Sequence, residues 1–134
     1  MKILFICKFN RFRSKVAEAY FNKINKNSKH KAKSAGIIRG NPLDKKQVSV
    51  ARKMGININS KPKGLTSKML AWNDTSIIVA DDVPRGVLRD NKKYGKGLLV
   101  WKIPDVKTNK EKEIKNIVNR IKNRIDKLMK KRMK

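Results

Sequence analysis

Short apolar runs alternate with longer stretches in which apolar residues recur every three or four positions, and this alternation constrains the fold more than any other feature of the chain. Residues 2–6 (KILFI) form a brief, nearly continuous apolar run, as expected of a strand buried on both faces. From Ser14 the pattern turns helical: Val16, Ala17, Ala19, Tyr20, Phe21 and Ile24 share one broad face. Serine is a favourable first residue, and Glu18 lies near enough to favour the first turn. Residues 25–37 leave the helix through polar positions and return as a second, weaker strand ending at Ser34-Ala35-Gly36. Across residues 41–56 (NPLDKKQVSVARKMGI), Pro42 suits a helix start and Gly55 a helix stop. Residues 57–74 read as a loop and a short helix, and residues 75–81 (TSIIVAD) as a strand ending in the Asp81–Asp82 pair. A short helix over Val83 to Asp90 and a turn over residues 91–97 follow, then a last strand over residues 98–105 (LLVWKIPD). From Lys110 a long helix carries Ile114, Ile117, Val118, Ile121, Ile125, Leu128 and Met129 on one stripe, with lysines and arginines between them. Its tail, residues 130–134, is expected to fray.

Strands separated by helices predict a single α/β domain over residues 1–134. It would be a four-stranded parallel sheet with helices on both faces and an anion-binding loop after the first strand. Ligands of such sheets sit beyond the carboxyl ends of the strands. Cys7, Ser34, Asp81 and Asp105 are all expected to fall just past strand ends.

The 134 residues suffice for a real core, and a hydrophobic fraction of 39% is far above that of a disordered chain of this charge. Thirty-six Lys and Arg against ten Asp and Glu give a net charge of +26. Such a field attracts nucleic acid or other polyanions. Lysine outnumbers arginine about three to one, however, and dedicated phosphate readers favour the arginine fork. A solvated, lysine-rich surface is therefore preferred to nucleic-acid recognition. The single cysteine excludes an internal disulfide. The N-terminal apolar run is too short for a signal-peptide core, and no other stretch approaches membrane-spanning length, so a cytoplasmic protein without membrane contact is expected.

That cysteine stands at the end of the first apolar run, directly before Lys8, Phe9, Asn10, Arg11, Phe12, Arg13 and Ser14. A loop between a strand end and a helix start can turn successive backbone N–H groups inward, and with the helix N-terminus it binds a tetrahedral anion. The same field favours a thiolate at its centre. Arg13 is placed to grip two phosphate oxygens, Ser14 to donate to the thiolate, and Asn10 to take up the left-handed bend. The only histidine, His30, precedes a strand and is given no role. Asp105 is the candidate acid for the departing oxygen and, afterwards, the base for water. This chemistry calls for no cofactor and no metal.

Cys7, Arg13, Ser14 and the following KVAEAYF resemble the low-molecular-weight protein tyrosine phosphatases, whose fold is shared by thiol-dependent arsenate reductases. Ser34-Ala35-Gly36, residues 41–56, the strand ending at Asp81 and Ile103-Pro104-Asp105 follow in that family's order and spacing, so the resemblance covers nearly the whole chain. It implies a phosphomonoester hydrolase with Cys7 as nucleophile, Arg13 as phosphate clamp and Asp105 as general acid. The rest of the loop (Lys8, Phe9, Asn10, Arg11, Phe12, Ser14) would surround the phosphate, supported by Ser34 and Asp81. Substrates would be a phosphorylated protein or a small phosphomonoester, and phosphate or vanadate-like oxyanions would compete.

Three positions depart from the family. Phe9 replaces a glycine, and Phe12 replaces a second cysteine that could shelter an oxidised Cys7 as a disulfide. Val106 follows Asp105 where the family has proline and then aromatics, so Phe9, Arg11, Ile37 or Ile38 would have to flank the substrate instead. An arsenate reductase relaying through three cysteines is excluded by count. One using an external thiol remains open, as does a non-catalytic binder of phosphorylated protein or nucleic acid. If the lysines serve capture, kcat/KM on an acidic phosphopeptide falls steeply as salt rises from about 0.05 to 0.5 M while kcat barely moves. A flat salt profile would leave them only a solubilising role.

Overall fold

The first apolar run becomes the central part of the sheet because its side chains find cover on both sides. The computed structural model describes residues 1–58, 60–89, 91 and 95–132. In chain order these form β1 (Lys2–Cys7), α1 (Arg13–Ile24), β2 (Lys31–Gly36), α2 (Lys45–Lys53), α3 (Ser67–Trp72), β3 (Thr75–Val79), a 3-10 turn (Arg85–Leu88), β4 (Gly97–Trp101) and α4 (Glu111–Arg132). The four strands make one all-parallel sheet in the order β2-β1-β3-β4. Ile3 of β1 pairs with Ala32 on one side and Thr75 on the other.

Alternation along β1 feeds two apolar layers. Ile3 and Phe5 join Val16 and Phe21 of α1, Val50 of α2 and Ile114, Val118 and Ile121 of α4. Leu4 and Ile6 join Ala35, Ile78 and Leu88 on the opposite face, where Met69 and Leu70 of α3 pack. Phe5 lies at the junction of strand and helix layers, its ring centroid 6.2 Å from that of Phe21 and 5.9 Å from that of Trp101. Tyr20 donates to Asp126 Oδ1 at 2.7 Å, tying α1 to α4 beyond their apolar seam.

The ends of the elements have local causes. Asp44 caps α2 by accepting from the Gln47 amide at 2.9 Å, so the helix begins after Asp44 rather than at Pro42, and Gly55 (φ +82°) ends it as expected. β3 stops at Val79 and β4 at Trp101, both short of the aspartates expected to end them. The Ile103 amide turns back onto the Trp101 carbonyl at 2.8 Å, and Pro104 has no N–H with which to extend a ladder. Asp105 therefore lies on a loop four residues beyond its strand. The expected helix over Val83 to Asp90 is only the short 3-10 turn. Asp90 and Tyr94 lie outside the described residues. α4 runs to Arg132, with buried Leu128 and half-buried Met129 on its apolar stripe, and residues 133–134 are outside the described set.

β2 forms one edge of the sheet, with Lys31 and Lys33 exposed between buried Ala32 and Ser34. The Lys33 ammonium lies 4.5 Å from the Trp72 ring centroid. Among the described residues no helix is long and apolar enough to cross a membrane. The Phe5→Ala variant removes a fully buried ring from the layer it shares with Phe21 and Trp101. It should cost about 3–5 kcal/mol in urea unfolding, against near-neutral truncation at exposed Lys33.

Candidate active site

Cys7 is the last residue of β1, and the chain from Lys8 to Phe12 curls back before α1 begins. The curl is held from outside. The carbonyls of Cys7, Lys8 and Phe9 accept from the amides of Ile37, Ile38 and Gly40, each at 3.1 Å. With these carbonyls turned outward, the amides of residues 8–12 have no protein acceptor among the described residues. Phe12 precedes α1 without a side-chain cap, so the first-turn amides of that helix point into the same space. The result is a nest of N–H groups at a helix N-terminus, able to take an anion.

Asn10 makes the bend. Its φ is +54°, in the left-handed region, and it is fully buried. Its Nδ2 donates to Ser14 Oγ at 2.7 Å and Ser34 Oγ at 3.0 Å, while its Oδ1 accepts from the Lys63 amide at 2.9 Å. These bonds fix the direction of the whole chain. Ser34 accepts from Asn10 and donates to Glu18 Oε1 at 2.5 Å. Ser14 likewise accepts from Asn10, which leaves its own hydroxyl hydrogen for Cys7 Sγ, 3.0 Å away. That polarity suits a thiolate, which can only accept.

Arg13 is 2% exposed and lies across the cleft from this network. Its Nη1 donates to the Ile103 carbonyl at 3.0 Å. Nη2 approaches Asp82 Oδ1 to 3.0 Å, whereas Asp81 and Asp105 each stay 3.8 Å from the guanidinium. Asp105 Oδ1 accepts from the Val106 amide at 2.8 Å and its side chain is half exposed. Cys7, Arg13 and Asp105 thus line one small cleft of about 80 Å³, with Phe9, Arg11, Phe12, Gln47 and Val106 completing its walls. A larger cleft of about 610 Å³, between residues 39–43 and 60–62, is lined by neither Cys7 nor Arg13.

The remaining expected loop residues divide. Phe9 and Arg11 do flank the cleft, Arg11 also donating to the Pro42 carbonyl at 2.9 Å. Phe12 is mainly a core residue, and Lys8 is exposed, its ammonium 5.2 Å from the Phe9 ring centroid. Ile37 and Ile38 are not among the residues lining the cleft. Ser34 sits inside β2 rather than past its end. Glu18 does not serve the first turn of α1 but terminates the Asn10–Ser34 chain. Asp82, not Asp81, is the nearer partner of Arg13, and nothing in a pair of adjacent aspartates says which turns inward. Lys15, Ile103 and Lys63 were likewise outside the sequence expectation. Among the described residues no group of three or more His, Cys, Asp or Glu is arranged to hold a metal.

A parallel four-stranded sheet with a Cys-x5-Arg-Ser loop between its first strand and first helix defines a class of phosphatase-type α/β enzymes. The chain matches the model of the low molecular weight phosphotyrosine protein phosphatases over residues 2–134, and it belongs to that family. Its structure is similar to a low molecular weight protein tyrosine phosphatase from T. tengcongensis (27% identity, TM-score 0.84, covering 98% of this chain and 99% of that one). It is also similar to the YwlE arginine phosphatase from Geobacillus stearothermophilus (19% identity, TM-score 0.82, covering 97% and 91%). An arsenate reductase from Archaeoglobus fulgidus shares the fold as well (23% identity, TM-score 0.75, covering 96% and 99%). No curated protein matches the chain by sequence.

Gly36 is where the loop is most tightly pressed. A Cβ there would come within 2.6 Å of the Phe9 carbonyl carbon and 2.7 Å of the Asn10 nitrogen, both backbone atoms. Gly36→Ala should therefore cost about 1–3 kcal/mol of stability and weaken vanadate binding in the folded protein, read by thermal melts and inhibitor titration.

Proposed function

We propose that the protein is a phosphomonoester hydrolase, acting on phosphotyrosine in proteins through a cysteinyl-phosphate intermediate. The observation that carries this reading is the network in which Asn10 donates to both Ser34 and Ser14, Ser34 donates on to Glu18 and the Ser14 hydroxyl hydrogen is left for Cys7, beneath a loop of unpaired amides. A site that only bound phosphate would need the amides and Arg13, but not a hydrogen aimed at the sulfur.

The substrate's phosphoryl oxygens lie against the loop amides, and Arg13 shares its guanidinium with them. The Cys7 thiolate attacks phosphorus on the side opposite the ester oxygen. A P–S bond forms as the P–O bond breaks, and Asp105 gives its proton to the leaving oxygen. Water then attacks phosphorus, Asp105 takes its proton, and the P–S bond breaks to return the thiolate and release phosphate. Loop amides and Arg13 hold the charge on the equatorial oxygens in both steps. Arg13 is kept in place by Asp82 and the Ile103 carbonyl, so it need not reorganise when substrate arrives. Half-exposed Asp105 can exchange its proton with solvent between turnovers. Phe9 supports an aryl substrate, because it supplies an aromatic wall where the segment after Asp105 has none.

The reductase alternative shares the cradle and Cys7, since arsenate has the shape of phosphate. It has no ester leaving group and so gives Asp105 nothing to do. Hydrolysis of p-nitrophenyl phosphate between about pH 4.5 and 7.5 separates the two. Turnover should be abolished in Cys7→Ser, fall by about 10²–10⁴ in Asp105→Asn, and be competed by vanadate. No turnover by the natural, reduced protein would remove the hydrolase reading.

A further inference from the structure

Lys15 follows the phosphate loop directly and is 2% exposed, although its neighbours on most surfaces of this protein are freely solvated lysines. It does not extend its ammonium to water along an apolar stem, the usual solution for a lysine near a core. Its Nζ donates to Ser60 Oγ at 2.7 Å and to the Lys61 carbonyl at 3.1 Å. Burial pushes the ammonium below the ordinary lysine value, Lys63 adds to that, and the charges of Glu18 and Cys7 oppose it. An unpaired ammonium in this position would be strongly unfavourable, and an apolar side chain of equal length would fit without that cost. The lysine supplies what an apolar chain cannot, a fixed link from α1 to residues 60–61.

That link continues into the site. Three residues on, the Lys63 amide donates to Asn10 Oδ1 at 2.9 Å, and the Lys63 carbonyl accepts from the Gly36 amide at 2.8 Å. Leu65 donates back to the Gly36 carbonyl at 2.8 Å, so Gly64 is bridged to Gly36 at the end of β2. Residues 60–63 thus have a rigid contact on the β2 side, and Lys15 provides the second, on the α1 side. Asn10 hangs from the segment between them.

We propose that Lys15 is a positioning residue of the phosphate loop, whose ammonium pins residues 60–61 so that the Lys63 amide stays on Asn10 and the loop keeps its anion-binding shape. Its consequence for turnover rests on the phosphatase reading; the tether itself does not. The test compares the natural protein with Lys15→Met and Ser60→Ala. It reads hydrogen exchange of the Lys63 amide, inhibition of p-nitrophenyl phosphate hydrolysis by vanadate and by phosphate, and the thermal midpoint.

In Lys15→Met the Lys63 amide should exchange about tenfold faster. Vanadate, which takes the five-coordinate shape of the transition state, should bind about 10- to 100-fold more weakly, and phosphate should lose less. Ser60→Ala should move both readouts the same way by a smaller factor, and the double variant should be no worse than Lys15→Met. A folded Lys15→Met with natural Lys63 exchange and natural vanadate affinity would overturn the proposal, even with a lowered thermal midpoint. If Lys15→Met does not fold, Ser60→Ala decides by the same two readouts. Should the natural protein show no turnover while Lys63 exchange still responds, the tether stands and the phosphatase reading falls.

Discussion

Everything at this site hangs on one buried amide side chain. Asn10 spends both hydrogens on Ser14 and Ser34 and its oxygen on the Lys63 amide, so a single residue joins the loop, α1, β2 and the segment after α2. It does so from a left-handed backbone conformation that most side chains avoid. The bend and the side-chain bonds support each other. Without the bonds the strained φ would relax, and without the bend the amide could not reach three partners. A short polar side chain is needed for both, which is why neither glycine nor a longer amide would serve equally well.

The acidic residues show the same economy. Among the described residues each carboxylate has a partner within the molecule. Asp44 and Glu113 bind backbone amides at helix starts, Asp74 accepts from the Lys2 amide, Glu18 from Ser34 and Asp126 from Tyr20. Glu111 pairs with Lys53 and Lys115. Asp81, Asp82 and Asp105 gather around Arg13. In a chain of net charge +26 the surface is given over to lysine, and negative charge is kept where a particular donor needs it. Three carboxylates around one guanidinium also temper the positive charge of the cleft.

Periodicity carried the fold well. The apolar runs and the stripe from Ile114 to Leu128 are signals of burial, and burial is what the sheet and the long helix satisfy. Strand ends were less legible: β4 stops at Trp101 because the Ile103 amide folds back, an event of local backbone geometry with no signature in hydropathy. Within the site, the residues that the chain itself brings into one loop (Cys7, Asn10, Arg13, Ser14) could be placed together from their spacing. Those that act through tertiary approach could not. Asp82 outranks Asp81 only once β3 has ended, and Lys15 gains its partners only because the segment at residue 60 returns to α1. A lysine among twenty-six others of its kind gives no hint in the sequence that, among the described residues, it is the buried one.

The lysines of β2 have an effect on the protein's dealings with copies of itself. An outer parallel strand offers a free row of amides and carbonyls to any other extended chain. Here that row is flanked by Lys31 and Lys33, and Lys33 is drawn over the Trp72 ring, shielding an aromatic surface next to the open edge. A second β2 brought alongside would set ammonium against ammonium with little counter-charge nearby. The surface charge thereby acts as a guard on the sheet's exposed hydrogen-bonding edge, and concentrated solutions at low salt gain the most from it.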